Sequence, residues 1–337
     1  MKYCKEPYVH ADIDLDGDVR LCCDSWHPKV VGNINKNSLE EIWNGTEAQR
    51  VRDSIDNQSY EFCKLDVCPV YRSNQLSNKP FKVETNLPKI LKFSFDDSCN
   101  LECPSCRSSR IQYKEGSSNY IKSINILNSI KENYYQLGTT QPALFIITGS
   151  GDPFGSDVFR HFLYDLDGGR LPLLEIGFLT NGVMLTEKTI KKIHKIHNNI
   201  KYITISIDSS KEDTYNIVRK GGNFKQLVKN IEYIHGCEYF KNVPICYSFV
   251  VQERNVREMV SFADWLLSFK NSTVRFTRLL DSFPNSILNF QTENVFDKNH
   301  KSNHILLDSI RTLKNKHYED RINFTNILND YEYYIEN

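Results

Sequence analysis

The sequence predicts an α/β protein, parallel strands alternating with amphipathic helices behind a small thiol-rich amino-terminal segment. Three observations carry this expectation. Six β-branched or aromatic runs of strand length recur from about residue 88, helical patterns lie between them, and eight of the ten cysteines precede residue 107. Such alternation implies parallel pairing through right-handed crossovers, and a barrel or a doubly wound sheet both satisfy it.

Taken in order, residues 1 to 85 are short, turn-rich and poor in apolar mass. "DLDGDVRLCC" reads as a hairpin turning at Asp16-Gly17, and "SLEEIWNG" as a capped helical turn ending at Gly45. A segment of that kind needs a staple, which a metal can supply. The strands are "KILKFSF" (89–95), "ALFIIT" (143–148), "LLEIGFLT" (173–180), "YITISID" (202–208), "PICYSFVV" (244–251) and "TVRFTRL" (273–279). Between them lie "YIKSINILNSIKENYYQ", "SDVFRHFLYDL", "EKTIKKIHKIHNN", "FKQLVKNIEYIHG" and "NVREMVSFADWLLSF", each with a helical apolar stripe. After residue 281 a polar, Asn- and Tyr-rich stretch containing the helical pattern "HILLDSIRTLKNKHYEDR" is expected to cap one end. The expected domains are therefore 1–85, 86–281 and 282–337.

Length and charge narrow the function. At 337 residues a sizeable core is within reach, and Lys+Arg and Asp+Glu both number 42, so no net field attracts nucleic acid or an anionic membrane. Neither partner is expected. The chain shows no apolar run long enough to span a bilayer and no leader pattern, so a soluble cytoplasmic protein is expected. In that compartment thiols stay reduced, and ten cysteines argue for metal binding.

"CNLECPSC" places Cys99, Cys103 and Cys106 at i, i+4 and i+7. That spacing suits one face of a helix, but Asn100, Pro104 and Ser105 are poor helix-interior residues and the stretch follows a strand, so a loop is expected. A structural zinc site wants four protein ligands, and no fourth Cys or His lies within twenty residues downstream. Three thiolates on an iron-sulfur cluster leave one iron for another ligand.

In that position, C-x3-C-x2-C resembles the radical S-adenosylmethionine (SAM) superfamily. The resemblance covers roughly residues 88–280 and implies a partial (β/α)6 TIM-like barrel. It also implies a 4Fe-4S cluster on Cys99, Cys103 and Cys106 whose fourth iron is chelated by SAM. "TGSGDP" (148–153) is similar to the family's Gly-Gly-Glu segment, implying that Gly149, Ser150, Gly151 and Asp152 meet the SAM amino group, although aspartate replaces the longer glutamate. "LTNG" and "SID" end the next two strands, implying cofactor contacts from Asn181, Ser206 and Asp208. In "YNIVRKGGNF", Arg219 is implied to pair with the SAM carboxylate.

Among the amino-terminal cysteines, Cys4 and Cys22 brought together by the hairpin and clamped by Cys63 and Cys68 make a closed four-thiolate site, suited to zinc or an iron-sulfur cluster. Cys23 is spare or an alternate ligand. "CKEPYVHADIDLDGDVRLCC", "GNINKNSLEEIWNG" and "CKLDVCP" resemble the SPASM/twitch extension, which implies an auxiliary 4Fe-4S cluster on Cys4, Cys22, Cys63 and Cys68. The module usually follows the barrel; here it precedes it.

Together these resemblances imply reductive cleavage of SAM to a 5'-deoxyadenosyl radical, with an electron donor such as flavodoxin or ferredoxin. The expected reaction is oxidation (dehydrogenation) or epimerisation of a small molecule such as a carbohydrate. Peptide modification (thioether, crosslink or epimer formation) and a non-enzymatic zinc-binding scaffold are the alternatives. For epimerisation Cys246 is the candidate hydrogen-atom donor, grouped by strand alternation with Ser248 and Val250, and Cys237 has less claim. Tyr247, Arg278 and Asp281 are further candidates for handling protons.

Overall fold

The computed structural model describes the chain except residues 73, 138, 149, 282–285, 317, 319, 325, 326 and 328–337. It falls into two compact units. One comprises Met1–Ser98, Gln112–Leu179 and Lys192–Lys201, the other Cys99–Ile111, Thr180–Lys191 and Tyr202–Asn337.

The first unit opens with β1 (His10–Asp14), β2 (Asp18–Arg20) and β3 (Gly32–Asn33), followed by α1 (Leu39–Asn44), α2 (Thr46–Asp56) and α3 (Pro69–Arg72). The hairpin forms as expected, with Asp12 opposite Arg20 and Gly17 at φ 83°, where a side chain would be strained. Ser38 caps α1 in a reciprocal box with Glu41. Then come β4 (Ile90–Ser94), α4 (Ser118–Leu137), β5 (Ala143–Ile147), α5 (Asp157–Asp165), β6 (Leu174–Thr180) and, beginning among the residues of the other unit, α6 (Glu187–Lys192). The strand order in this unit is β6-β5-β4-β1-β2-β3.

One feature of this unit differs from expectation. The strands of the first 85 residues are short, as expected, and β1 pairs in parallel with β4, Asp12 opposite Lys92. The segment is nonetheless not poor in buried apolar residues, because Ile13, Leu39, Trp43, Val51 and Ile55 are all at most 1% exposed. Each short element contributes one or two apolar residues, too few for a periodic signal in any window.

The second unit holds β7 (Ile200–Ser206), α7 (Glu212–Val218), α8 (Phe224–Gly236), β8 (Ile245–Val251), α9 (Met259–Leu266), β9 (Ser272–Arg278), α10 (Phe290–Glu293), α11 (Asn303–Asn315) and β10 (Ile322–Asn323). Its strand order is β10-β9-β8-β7, all parallel. The fold class is therefore the expected one, α/β with the parallel βα repeats of the partial TIM-like barrel class. The expected helical stretch after residue 281 contains α11, and part of the carboxy-terminal segment lies outside the described residues.

In both units one sheet face is aromatic and covered by helices. Phe93 of β4 packs on Phe145, Phe159 and Phe162 in the first. In the second, Phe249 and Phe276 pack on each other and on Phe262 of α9. Alternation then commits the intervening residues of each strand to the other face. On β7, β8 and β9 these are Thr204, Ser206, Cys246, Ser248, Thr273 and Arg275, aligned by register as Thr204–Cys246–Thr273 and Ser206–Ser248–Arg275. The consequence is a polar working face.

Candidate functional site

In the second unit, Cys99, Cys103 and Cys106 lie in a loop rather than a helix, packed around Leu101 with Val183. Pro104 and Asn100 have the effect expected of them. The loop is tied down by backbone bonds from Cys99 N to Ile111 O (2.9 Å) and Glu102 N to Lys220 O (2.9 Å), and by a Lys220–Glu102 ion pair at 3.1 Å. Nitrogen donors face each sulfur. Leu101 N–H stands 3.5 Å from Cys99 Sγ, Arg107 Nη2 3.5 Å from Cys106 Sγ and Arg219 Nη1 3.8 Å from Cys103 Sγ. Burial pushes the Cys103 thiol up and the Arg219 charge opposes that shift. Arg107 and Arg219 thus place positive charge beside the loop that would hold the cluster.

Asn181 anchors the same loop. Its Nδ2 donates to Asn100 Oδ1 at 2.9 Å and faces Cys99 Sγ at 3.8 Å, while its Oδ1 accepts from Val183 N. Arg219 Nη2 lies 2.7 Å from Asp208 Oδ2. Asp208 follows β7 at φ 63°, an uncommon conformation for a residue with a side chain, and Val250 N–H and the Asn255 side chain hold it there. Burial raises the Asp208 carboxyl above the ordinary range despite the Arg219 charge beside it. Ser206 and Cys246 lie on the polar face, both part-buried. Tyr247 does not: it points to the helix side, its hydroxyl 2.7 Å from His235 Nε2. Arg278 stacks over Phe296 (4.9 Å), Asp281 is exposed, and Cys237 caps the end of α8.

In the first unit, the segment after β5 begins with Thr148 at φ 74°. Gly149 lies outside the described residues. Ser150 Oγ donates to Ser94 O (2.9 Å). A Cβ on Gly151 would stand 2.5 Å from both Asp96 O and Ser98 O, so only glycine fits there. Asp152 is 1% exposed, and its Oδ1 accepts from Phe154 and Gly155 N–H at 3.0 Å. That carboxylate builds the turn into α5.

Also in the first unit, Cys4, Cys22, Cys63 and Cys68 sit near one another. Cys4 is pushed up to about 12 by burial and by the fields of Glu6, Cys68 and Cys63, and Cys63 to about 11 by burial and Cys68. Burial raises Cys22 well above its ordinary value, with Glu6 and Cys4 adding to it. Trp26 Nε1 donates to Cys22 Sγ at 3.2 Å. The Cys23 thiol stands in the fields of Lys92, Asp12 and Asp24, and burial raises its pKa.

These donor sets fit iron-sulfur clusters. Buried thiols that raise one another's pKa become thiolates only against metal charge. Among the described residues, no three His, Cys, Asp or Glu side chains converge as ligands of a single ion. A cubane has no such need, because each of its irons takes its own thiolate. The residues that the sequence did not single out are Arg107, Trp26, Thr148, Asp12 and Lys92. Asp12 and Lys92 meet across 80 residues, so no local motif announces them, whereas Arg107 and Trp26 stand one and four residues from the cysteines they face.

Comparison with known proteins gives matching results. A model of the radical SAM superfamily matches residues 94–266, just over half of the chain, and one of SPASM, an iron-sulfur cluster-binding domain, matches residues 4–69. AdoMet-dependent heme synthase of Methanosarcina barkeri is 23% identical over 178 residues, 52% of this chain and 46% of that protein. GTP 3',8-cyclase of Clostridium botulinum is 27% identical over 142 residues, 42% of each. The chain thus spans less than half the length of these relatives. Among solved structures, Streptococcus suis SuiB bound to S-adenosylmethionine aligns with a TM-score of 0.48 at 14% identity, covering 86% of this chain and 59% of that one. Among the described residues, no helix is long and apolar enough to cross a membrane.

Proposed function

Because the chain belongs to the radical SAM superfamily and carries a SPASM domain, we propose that it couples reductive SAM cleavage to oxidation of a C–H bond in a small, polar, carbohydrate-like substrate. One observation carries this reading: a four-cysteine set, two of its thiols buried and two part-buried, in addition to the three-cysteine loop. Cys4, Cys22, Cys63 and Cys68 would hold a second cluster, which would supply an electron acceptor, and dehydrogenation of an alcohol carbon has an electron to give. After loss of its hydrogen atom, the carbon releases one electron and the hydroxyl one proton, leaving a carbonyl. An external reductant of flavodoxin or ferredoxin type provides the electron for SAM.

When bound, the SAM-chelating cluster supplies a 5'-deoxyadenosyl radical that removes the hydrogen atom. This chain's residues hold and orient. Cys99, Cys103 and Cys106 are the ligands, Arg107 and Arg219 balance their charge, and Asn181 fixes the loop through Asn100. The SAM carboxylate falls to Arg219, with Asp208 as its positioning residue, and the ribose to Ser206. In the first unit, Asp152 keeps the turn into α5 in shape. Cys4, Cys22, Cys63 and Cys68 hold the auxiliary cluster.

Epimerisation is the second reading, favoured by Cys246, a part-buried thiol on the polar face between Thr204 and Thr273. The test is anaerobic turnover in D2O with candidate sugars and with a synthetic precursor peptide, following 5'-deoxyadenosine and product mass. Oxidation yields product two mass units lighter, whereas hydrogen return from a thiol yields product carrying one deuterium. Turnover only on the peptide replaces the carbohydrate reading by peptide modification.

A further inference from the structure

The polar face of β1, β2 and β4 holds side chains that belong to neither cysteine site. His10, Asp12 and Asp14 alternate onto it from β1, Arg20 lies opposite Asp12 on β2, and Lys92 and Ser94 lie opposite Asp12 and Asp14 on β4. Two ion pairs cross this face: Lys92 Nζ to Asp12 Oδ2 at 2.7 Å and Arg20 Nη1 to Asp14 Oδ2 at 2.6 Å. Each is neutral as a pair. Four further polar atoms there are buried without a hydrogen-bond partner: His10 Nε2, Asp12 Oδ1, Arg20 Nε and Ser94 Oγ. His10 is 8% and Asp12 5% exposed.

Unpartnered buried polar atoms are rare in folded proteins, and four on one sheet face point to a ligand that completes them. Their chemistry specifies it. Asp12 Oδ1 only accepts. His10 Nδ1 donates to Glu6 Oε2 at 2.8 Å, so Nε2 accepts in the neutral ring and donates in the charged one. Arg20 Nε only donates, and Ser94 Oγ does either. A hydroxyl donates and accepts through one atom, and it carries no charge to disturb two balanced ion pairs. We infer that this face is the subsite for a neutral, polyhydroxylated part of the substrate, with Asp12, His10, Arg20 and Ser94 as its hydrogen-bonding partners. The inference rests on the proposed small-molecule reading and sharpens it from polar to uncharged and hydroxyl-rich. Glu6 links the subsite to the four-cysteine set, since its field reaches Cys4, Cys22 and Cys68 while it accepts from His10.

The test measures binding to the full chain after anaerobic cluster reconstitution, by saturation-transfer NMR and calorimetry. The probes are myo-inositol (hydroxyls only), hexa-O-methyl-inositol (no donors) and glucosamine (a cationic amine). Inositol should bind, the hexamethyl ether should not, and glucosamine should bind at least threefold more weakly than inositol. Ser94→Ala, a change small enough to keep the fold, should weaken inositol binding about threefold to tenfold. The double variant Asp12→Ala/Lys92→Ala, which leaves no unpaired charge, should abolish it. Absence of binding by any hydroxyl probe, as expected if only water completes these atoms, overturns the inference. So does equal binding of the methyl ether, tighter binding of glucosamine, or wild-type affinity in both variants. Substrate-free 5'-deoxyadenosine release by the wild type reports separately on SAM cleavage, so failure here is distinguishable from failure of the proposed function.

Discussion

Arg219 sets its Nη2 2.7 Å from the carboxylate of Asp208, which is 1% exposed. The same guanidinium turns Nη1 towards Cys103. Asp208 thereby fixes where a buried positive charge stands relative to the cluster-binding loop. Asp208→Asn should leave that charge uncompensated and lower stability by about 3–5 kcal/mol, read as a shift of the urea midpoint. Asp208→Asn/Arg219→Met should recover most of this stability without recovering 5'-deoxyadenosine formation. Recovery of both would mean that Arg219 has no part in SAM chemistry.

The assignment of Cys22 over Cys23 has a direct chemical readout. Cys22→Ala should reduce iron and sulfide per reconstituted chain by about half, the equivalent of one of two cubanes. Cys23→Ala should leave both counts at the wild-type value, as the Cys23 thiol stands in the fields of Lys92, Asp12 and Asp24. The opposite pattern would exchange the two roles.

Gly151 is held against backbone on two sides, with a Cβ placed 2.5 Å from Asp96 O and Ser98 O. Neither carbonyl can rotate away as a flexible side chain would. Gly151→Ala should cost about 1–3 kcal/mol, read as a shift of the urea midpoint, while the iron bound by the four-cysteine set stays unchanged.

His27 is 1% exposed with both ring nitrogens unpartnered, and burial lowers its pKa from the ordinary 6.5 to about 4. The folded state therefore holds the neutral ring. Between these two values the unfolded chain binds a proton that the folded chain refuses, so this contribution to stability is full above pH 6.5 and is lost as pH falls towards 4. The loss amounts to about 3 kcal/mol. His27→Leu should flatten the stability profile over that window, measured on apo protein so that acid release of iron does not intervene. An unchanged slope would show that another group titrates.

Much of the fold is legible in the sequence because burial imposes a period on it. Six strand runs reappear within a residue or two of their expected bounds, and Ser38 and Glu41 announce their helix by chemistry local to one turn. Cys99, Cys103 and Cys106 are similarly local, since Asn100, Pro104 and Ser105 among them already argue for a loop despite a spacing that would suit a helix. By contrast, β1 pairing with β4 joins residues 80 apart, and β3 and β10, at two residues each, are too short for any alternation to register.

The sequence alone therefore determined the class of fold, the cysteine inventory and the family resemblance, all of which depend on residues close together in the chain. Tertiary structure decided the rest: that Asp208 meets Arg219, that Glu6 accepts from His10, that Asp152 serves a turn, and that Asp12 faces Lys92 on a polar sheet face. The reason is physical. The field at a buried charge or thiol is set by groups within a few ångströms in space, and strand pairing across dozens of residues brings those groups together.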